Sequence, residues 1–259
     1  MKFISIGDNC MDVYKQMGKA FPGGNSVNFS VYVKQLGECS SYLGVVGNDD
    51  YGDIMIEQIR SKKVDISHVQ KVEGETAHTN VEIKNGDRIL NDYDEGVLKH
   101  FNLSDEDLQY IRSHDFLHTA IWGNCERYLN YLKDYVTISF DFADRIDLVK
   151  IKEVCPNVDY AFLSYSEDNL SIRNTLEQIV SLGPKCAVAT LGANGSVAYD
   201  GVSFYKEKAK RIDVVDTLGA GDSFIAAFMV GIAKGYDVRM CLQMGTRKAS
   251  KTITYFGAW

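Results

Sequence analysis

Short runs of β-branched and aromatic residues alternate with amphipathic stretches along most of this 259-residue chain, and that rhythm limits the fold more than any other feature. Lys2–Gly7 reads as a strand. Gly23-Gly24-Asn25 opens a helix whose Phe29, Val33 and Leu36 fall at i, i+4 and i+7, and Gly37 stops it. Ser41–Gly47 reads as the next strand, and Tyr51–Lys62 as a helix with Tyr51, Met55 and Ile59 on one face. Further strands are predicted over Phe116–Trp122, Val136–Phe142, Val158–Ser164 and Lys185–Leu191, separated by helical pattern. Within that pattern Ser104 and Asp107 have the spacing of a capping box. Successive βα units need crossover connections, which make the strands parallel and cover both faces of the sheet with helices. The reading is therefore an α/β chain with a mostly parallel sheet.

Two segments break the rhythm. Thr76–Tyr93 alternates apolar and polar residues around Asn85-Gly86, a strong hairpin signal, and a second hairpin centres on Asp200-Gly201. The first reads equally as a plain edge hairpin or as a flap on the sheet. Composition excludes several classes outright. Hydrophobic content of 45% with 24% charged residues is that of a globular protein rather than a disordered one. A net charge of −7 without a basic block argues against nucleic acid as a partner. The longest apolar stretch, Phe224 to Ala233, is far short of the roughly 18 residues of a membrane span, so no membrane role is expected. Asp8 arrives too early for a secretory leader, and the expected location is cytoplasmic. Six cysteines lie scattered with no CxxC pair, which argues against a zinc site, a redox pair or a disulfide framework.

The densest chemical signal is Asp216-Thr217-Leu218-Gly219-Ala220-Gly221-Asp222-Ser223-Phe224, between a strand-like run, Arg211–Val215, and an apolar helix. Glycines at a helix start let backbone N–H groups approach an anion, and the helix dipole favours negative charge there. Asp222 can then act as a base beside a bound phosphate, or simply favour the dipole. A dinucleotide fingerprint is set aside, because GxGxxG needs glycine at Phe224 and too little chain follows. Thr190-Leu191-Gly192-Ala193-Asn194-Gly195 ends an apolar strand, and Gly23-Gly24-Asn25-Ser26-Val27-Asn28 starts a helix with two amide side chains a turn apart. Each of these alone is as readily a turn or a helix start as a ligand site. No GxxxxGK[ST] occurs, which excludes a P-loop NTPase, and the five histidines form no catalytic or metal pattern.

Together these segments resemble the PfkB (ribokinase-like) family of carbohydrate kinases over nearly the whole chain. The family's D-T-x-G-A-G-D signature matches Asp216–Asp222, its Gly-Gly motif Gly23-Gly24-Asn25, and its T-L-G-x-x-G nucleotide segment Thr190–Gly195. Its early sugar-binding Asp, at the first strand's exit, matches Asp12. The resemblance implies a ribokinase-like three-layer α/β sandwich with a small β lid, one domain over 1–259 with the lid at about 13–22 and 76–97. It implies transfer of the γ-phosphate of ATP, with Mg²⁺, to a primary hydroxyl of a sugar or sugar derivative. Asp222 would be the general base, and the amides of Gly219, Ala220 and Gly221 the anion hole. Asp8, Asp12, Gly24, Asn25 and Asn28 would hold the sugar. Ser164, Thr190, Gly192 and Gly195 would line the nucleotide, and Glu167 would act on magnesium through water. Two departures stand out. Ser164-Tyr165-Ser166-Glu167 replaces the family's N-x-x-E, and relatives with a monovalent-cation site draw a ligand from beyond Gly257-Ala258, which leaves potassium activation open.

A finer likeness rests on Gly7-Asp8-Asn9-Cys10, Asp92-Tyr93 with Glu95-Gly96-Val97, Ala120-Ile121-Trp122-Gly123, Phe140-Asp141-Phe142 and Gly257-Ala258-Trp259. It implies an amino-acid-bearing sugar such as fructoselysine, phosphorylated at O6. The acidic cluster Asp92, Asp94 and Glu95 would then meet the substrate's ammonium groups, or is otherwise a solvated turn. The alternatives are a kinase for a plain ketose, pentose or nucleoside, with Tyr14, Phe21 and Trp122 as an aromatic slot, and a silent sugar-binding regulatory protein on the same fold. The intact D-T-x-G-A-G-D string argues against silence, since a binding protein needs no base. Some relatives pair through their lids, which would make a homodimer.

Overall fold

Apolar strands without alternation need cover on both faces, and the computed structural model, which describes residues 1–84 and 87–259, supplies it. In chain order the elements are β1 (Lys2–Ile6), β2 (Cys10–Tyr14), β3 (Lys19–Gly23), α1 (Asn25–Gln35), β4 (Cys39–Leu43), β5 (Val45–Gly47), α2 (Asp50–Ser61) and β6 (Gln70–Val72). Then follow β7 (His78–Lys84), β8 (Asp87–Asp94), α3 (Asp105–Arg112), β9 (Phe116–Ala120), α4 (Glu126–Leu132), β10 (Thr137–Asp141), α5 (Leu148–Val154) and β11 (Tyr160–Ser164). The chain continues through α6 (Leu170–Ser181), β12 (Cys186–Thr190), β13 (Ser196–Tyr199), β14 (Phe204–Glu207), α7 (Ala220–Ala233) and α8 (Val238–Thr252).

The central sheet has the order β14-β13-β12-β11-β10-β9-β1-β4. Strands β4 to β12 run parallel in that order, and β13 and β14 add an antiparallel hairpin around Asp200-Gly201. Alternation along each strand of the central sheet builds one core on each of its faces. Phe3, Phe116, Phe162 and Val188 face one way and pack with Phe29 of α1, Phe224 and Phe228 of α7 and Leu242 of α8. Ile4, Leu117, Ile138 and Ala161 face the other, against Ile111 of α3, Leu129 of α4, Ile151 of α5 and Leu176 of α6. Each fully buried Phe, Leu or Ile contributes about 1.5–3 kcal/mol relative to exposure, so this is a three-layer α/β sandwich held by both faces of its sheet.

Most expected strands are present with their ends trimmed. The run Ser41–Gly47 is two strands, because β4 pairs with β1 while the chain turns at Gly44 and β5 pairs with β6. Phe116–Trp122 ends at Ala120 and continues as a 3₁₀ turn over Ile121–Gly123. Arg211–Val215 is not a strand. Val214 and Val215 are 57% and 59% exposed, and the Val215 amide donates to the Ile253 carbonyl instead of to a sheet neighbour. The capping box is present as read: Ser104 Oγ accepts from the Asp107 amide, and the Asp107 carboxylate accepts from the Ser104 amide.

A second sheet, ordered β3-β2-β7-β8, contains both arms of the Thr76–Tyr93 hairpin; the Asn85-Gly86 turn itself lies outside the described residues. Its register aligns Phe21, Asp12, Thr79 and Tyr93 in one row across the four strands.

Candidate active site

Parallel strands deliver their carboxyl ends, and the helix starts that follow, to one edge of the sheet, the usual ligand edge of open α/β folds. Here Asp8 follows β1, Asp141 ends β10, and Ser164 and Thr190 end β11 and β12. Helix α1 begins at that edge behind Gly24, whose φ of 105° and close approach to Asn9 (a Cβ would lie 2.6 Å from its Cα) exclude a side chain. The Asp8 carboxylate caps the helix: Oδ2 accepts from the Asn25 amide at 2.6 Å, and Oδ1 from the Ser26 hydroxyl at 2.8 Å. Burial raises its pKa despite these bonds. Asp8, expected to hold sugar, is thus engaged in starting α1. Asn25 Nδ2 donates to Asp141 Oδ2 at 3.1 Å, and burial lifts the Asp141 carboxyl to about 6.

The glycine turn before α7 is fastened from outside. Asp216 Oδ1 accepts from the Leu218 amide at 3.0 Å and Oδ2 from the Gly257 amide at 2.7 Å, while the Tyr32 hydroxyl donates to the Ala258 carbonyl. Gly219 sits in the left-handed region at φ 71°, where a Cβ would lie 2.5 Å from the Tyr32 hydroxyl. Of the three amides expected to form an anion hole, that of Ala220 is already bonded to the Thr217 carbonyl at 3.2 Å. The helix start leaves the Gly221 and Asp222 amides without intrahelical acceptors, and a Cβ on Gly221 would meet nothing within 4 Å. That open cradle lies beside Asp222, which is buried, with Oδ2 accepting from Asn28 Nδ2 at 2.7 Å. Asn28 Oδ1 in turn accepts from the Trp259 indole N–H at 2.7 Å, so the amide expected to read sugar hydroxyls is bonded to protein at both ends. The helix start was expected to favour ionised Asp222. Burial outweighs it and pushes the carboxyl well above the usual carboxylate range; the Asn28 bond pulls back, and the charges of Asp141 and Asp8 push further up.

Asp12 lies in the middle of β2 rather than at the exit of the first strand, buried in the row with Thr79 and Tyr93. Gly23 makes room for it, since a Cβ there would lie 3.1 Å from Asp12 Oδ2. Cys10, on the same face, places Sγ 3.2 Å from Thr79 Oγ1. The Tyr93 hydroxyl is pushed up by burial, then by Cys10 and the carboxylates of Asp8, Glu95 and Asp94. Strand alternation turns Asp92 to the opposite face. There it lines a cavity of about 590 Å³ with Val13, Lys15, Gln16, Asn80 and Glu82. The expected acidic cluster is therefore split: Asp94 holds the Gly96 amide, and Glu95, beyond the strand, lies 3.5 Å from Asn124 Nδ2.

On the nucleotide side, Ser164 and Thr190 are register partners with their hydroxyls 3.4 Å apart. Asn194 Nδ2 donates to the Ser166 carbonyl and joins the two loops, and Glu167, exposed, accepts from Asn169 Nδ2 at 3.0 Å. Gly192 opens a 3₁₀ turn with free space at its Cβ position. Gly195 instead packs on backbone, a Cβ there lying 2.1 Å from the Glu207 carbonyl oxygen. Asp141, Thr79, Cys10, Tyr93 and Trp259 were not among the expected site residues. Their sequence signal was confined to short segments of likeness, and Thr79 had none.

Comparison with known proteins adds a family to this geometry. The description "pfkB family carbohydrate kinase" matches residues 7–259. The chain is 41% identical over 256 residues to a fructoselysine 6-kinase of Escherichia coli (strain K12), covering 98% of each. It is 33% identical over 264 residues to a fructosamine kinase of Bacillus subtilis (strain 168), covering 100% of this chain and 93% of the other. Among solved structures, Arabidopsis thaliana ribokinase complexed with ribose and ATP superposes with a TM-score of 0.86 at 20% identity, over 99% of this chain and 93% of its own. The fold is ribokinase-like.

Proposed function

The chain belongs to the pfkB family of carbohydrate kinases, and on that premise we propose that it transfers the γ-phosphate of ATP to O6 of fructoselysine or a close amino-acid-bearing analogue, with Asp222 as general base. The observation that carries this reading is the buried Asp222 carboxyl beside the open backbone at Gly221, at the start of α7. Phosphoryl transfer asks a protein mainly for positioning and for charge stabilisation. Asp222 takes the proton of the O6 hydroxyl as that oxygen bonds to the γ-phosphorus. The bond from phosphorus to the bridging oxygen breaks, and its electron pair leaves with ADP. The amides of Gly221 and Asp222 face charge developing on the transferred group. Asp12, from the second sheet, accepts from sugar hydroxyls, and that sheet acts as a lid that limits water near the phosphate.

The relative acting on fructoselysine supports the substrate class. So does the chemistry of the site, where the carboxyl groups of Asp8, Asp12 and Asp141 are all buried, a set suited to a substrate with ammonium groups. Magnesium ions usually keep several waters and bind through one or two carboxylates plus substrate phosphates. Glu167, solvated beside Ser164 and Thr190, suits that role, and the described residues contain no group of three or more His, Cys, Asp or Glu side chains able to hold a metal by themselves. The ion would neutralise phosphate charge, and Glu167 would orient its water.

The test is ADP release with fructoselysine, fructose, ribose and adenosine, with the phosphorylated position read by NMR. The highest kcat/KM is expected for fructoselysine, with phosphate on O6. A preference for ribose or adenosine refutes the substrate, and sugar binding without turnover of any of them refutes the kinase.

A further inference from the structure

A primary amide is close to symmetric in shape but not in chemistry. Its oxygen only accepts and its nitrogen only donates. Asn28 places one end 2.7 Å from the Asp222 carboxylate and the other 2.7 Å from the Trp259 ring nitrogen. Turned over, it would set Oδ1 against the carboxylate and repel the ionised base. An indole N–H can only donate, so the end of Asn28 facing Trp259 must be oxygen. We propose that Trp259 is a positioning residue for phosphoryl transfer: its indole N–H locks the Asn28 amide with Nδ2 directed at Asp222 Oδ2. The proposal rests on the reading of Asp222 as the base.

Other contacts hold Trp259 where this lock needs it. The Asp216–Gly257 and Tyr32–Ala258 hydrogen bonds pin the segment before it against α1 and the glycine turn, and Lys62 Nζ lies 5.3 Å from the indole centroid. The same segment therefore braces the glycine turn and orients the donor to the base. The charged and titratable groups facing Asp222 and its supports include Asp8 after β1, Asp141 on β10 and Tyr32 on α1, with Tyr255 beside Tyr32, Lys248 of α8 4.7 Å from the Tyr32 ring centroid and Lys62 on the Trp259 ring. The two carboxylates disfavour ionised Asp222, which leaves the Asn28 donor as the side-chain hydrogen bond that favours it.

The test compares kcat/KM against pH for Trp259→Phe, Asp222→Asn and the unaltered enzyme. Phe keeps ring bulk over Lys62 and removes the donor. The acid limb should move up by about one pH unit, with activity about tenfold lower on that limb and converging with the unaltered enzyme at high pH. Adding Trp259→Phe to Asn28→Ala should move nothing further. If Phe is not tolerated, Trp259→Tyr substitutes for it, because a hydroxyl both donates and accepts and so cannot lock the amide. A loss of equal size at every pH, or an unmoved limb, overturns the positioning role while an inactive Asp222→Asn leaves the base in place. Normal turnover in Asp222→Asn instead removes the base, and the proposal with it.

Discussion

Replacing Asp222 with Asn is the most direct test of the chemistry, and the structure sets its consequences for rate and stability separately. The amide has nearly the same volume, and its oxygen can keep the bond from Asn28 Nδ2, now 2.7 Å from the carboxylate. What it loses is the ability to take the hydroxyl proton. General-base assistance is typically worth ~10²–10⁴-fold, about 3–5 kcal/mol of barrier, so kcat should fall by at least the lower figure while the KM for ATP changes little. Stability should move the other way. Burial raises the folded pKa of Asp222 above its unfolded value, so holding it ionised is unfavourable. That penalty is absent below the ordinary carboxylate range and develops as pH rises from there through the folded pKa. The variant should therefore melt no lower than the parent at pH 8, and their difference should narrow as pH falls towards about 4. Steady-state ADP release and melting curves at several pH values measure both. Near-normal turnover would refute the base. A large loss of Tm at every pH would mean that the carboxylate serves chiefly to start α7.

Glu95→Gln should raise KM for fructoselysine about tenfold or more, the worth of a charge-assisted contact, and leave fructose nearly unaffected; Asp92→Asn, on the opposite face, should change neither, and equal effects of the two would contradict the split of the acidic cluster. Glu167→Gln should raise the Mg²⁺ concentration needed for half-maximal turnover with the melting temperature kept, and an unchanged magnesium titration would remove Glu167 from the metal's surroundings. A cationic substrate should offset the charges of Asp8 and Asp141 that push Asp222 up. The acid limb of kcat, which reports the substrate complex, should then lie below that of kcat/KM for fructoselysine, and coincident limbs would argue against ammonium binding near these carboxylates.

The parts of this molecule legible in the sequence are those set by local pattern. Alternating strand and helix periods gave the parallel sheet, and a contiguous string, Asp216–Asp222, carried the likeness to the family. What escaped was set by partners distant in sequence. Val214 and Val215 have strand propensity, but propensity is realised only against a neighbouring strand, and the Val215 amide finds a helix-end carbonyl instead. Asp92 and Tyr93 had to face opposite ways from alternation alone. Which of them meets the site depends on β2 pairing with β7, whose Asp12 and Thr79 are 67 residues apart in number, and nothing local encodes that.

The same division explains the ionisation of Asp222. The helix start is local and favours negative charge, but the burial of Asp222 and the nearby Asp8 and Asp141 come from distant parts of the chain and push its carboxyl up. A base whose pKa is raised by its fold accepts a proton more readily than an ordinary carboxylate once ionised, and needs a donor to stay ionised at neutral pH. Asn28 supplies that donor, and its orientation depends on an indole 231 positions away. The motif thus points to the proposed base, while the long-range contacts decide how strong a base that carboxyl can be.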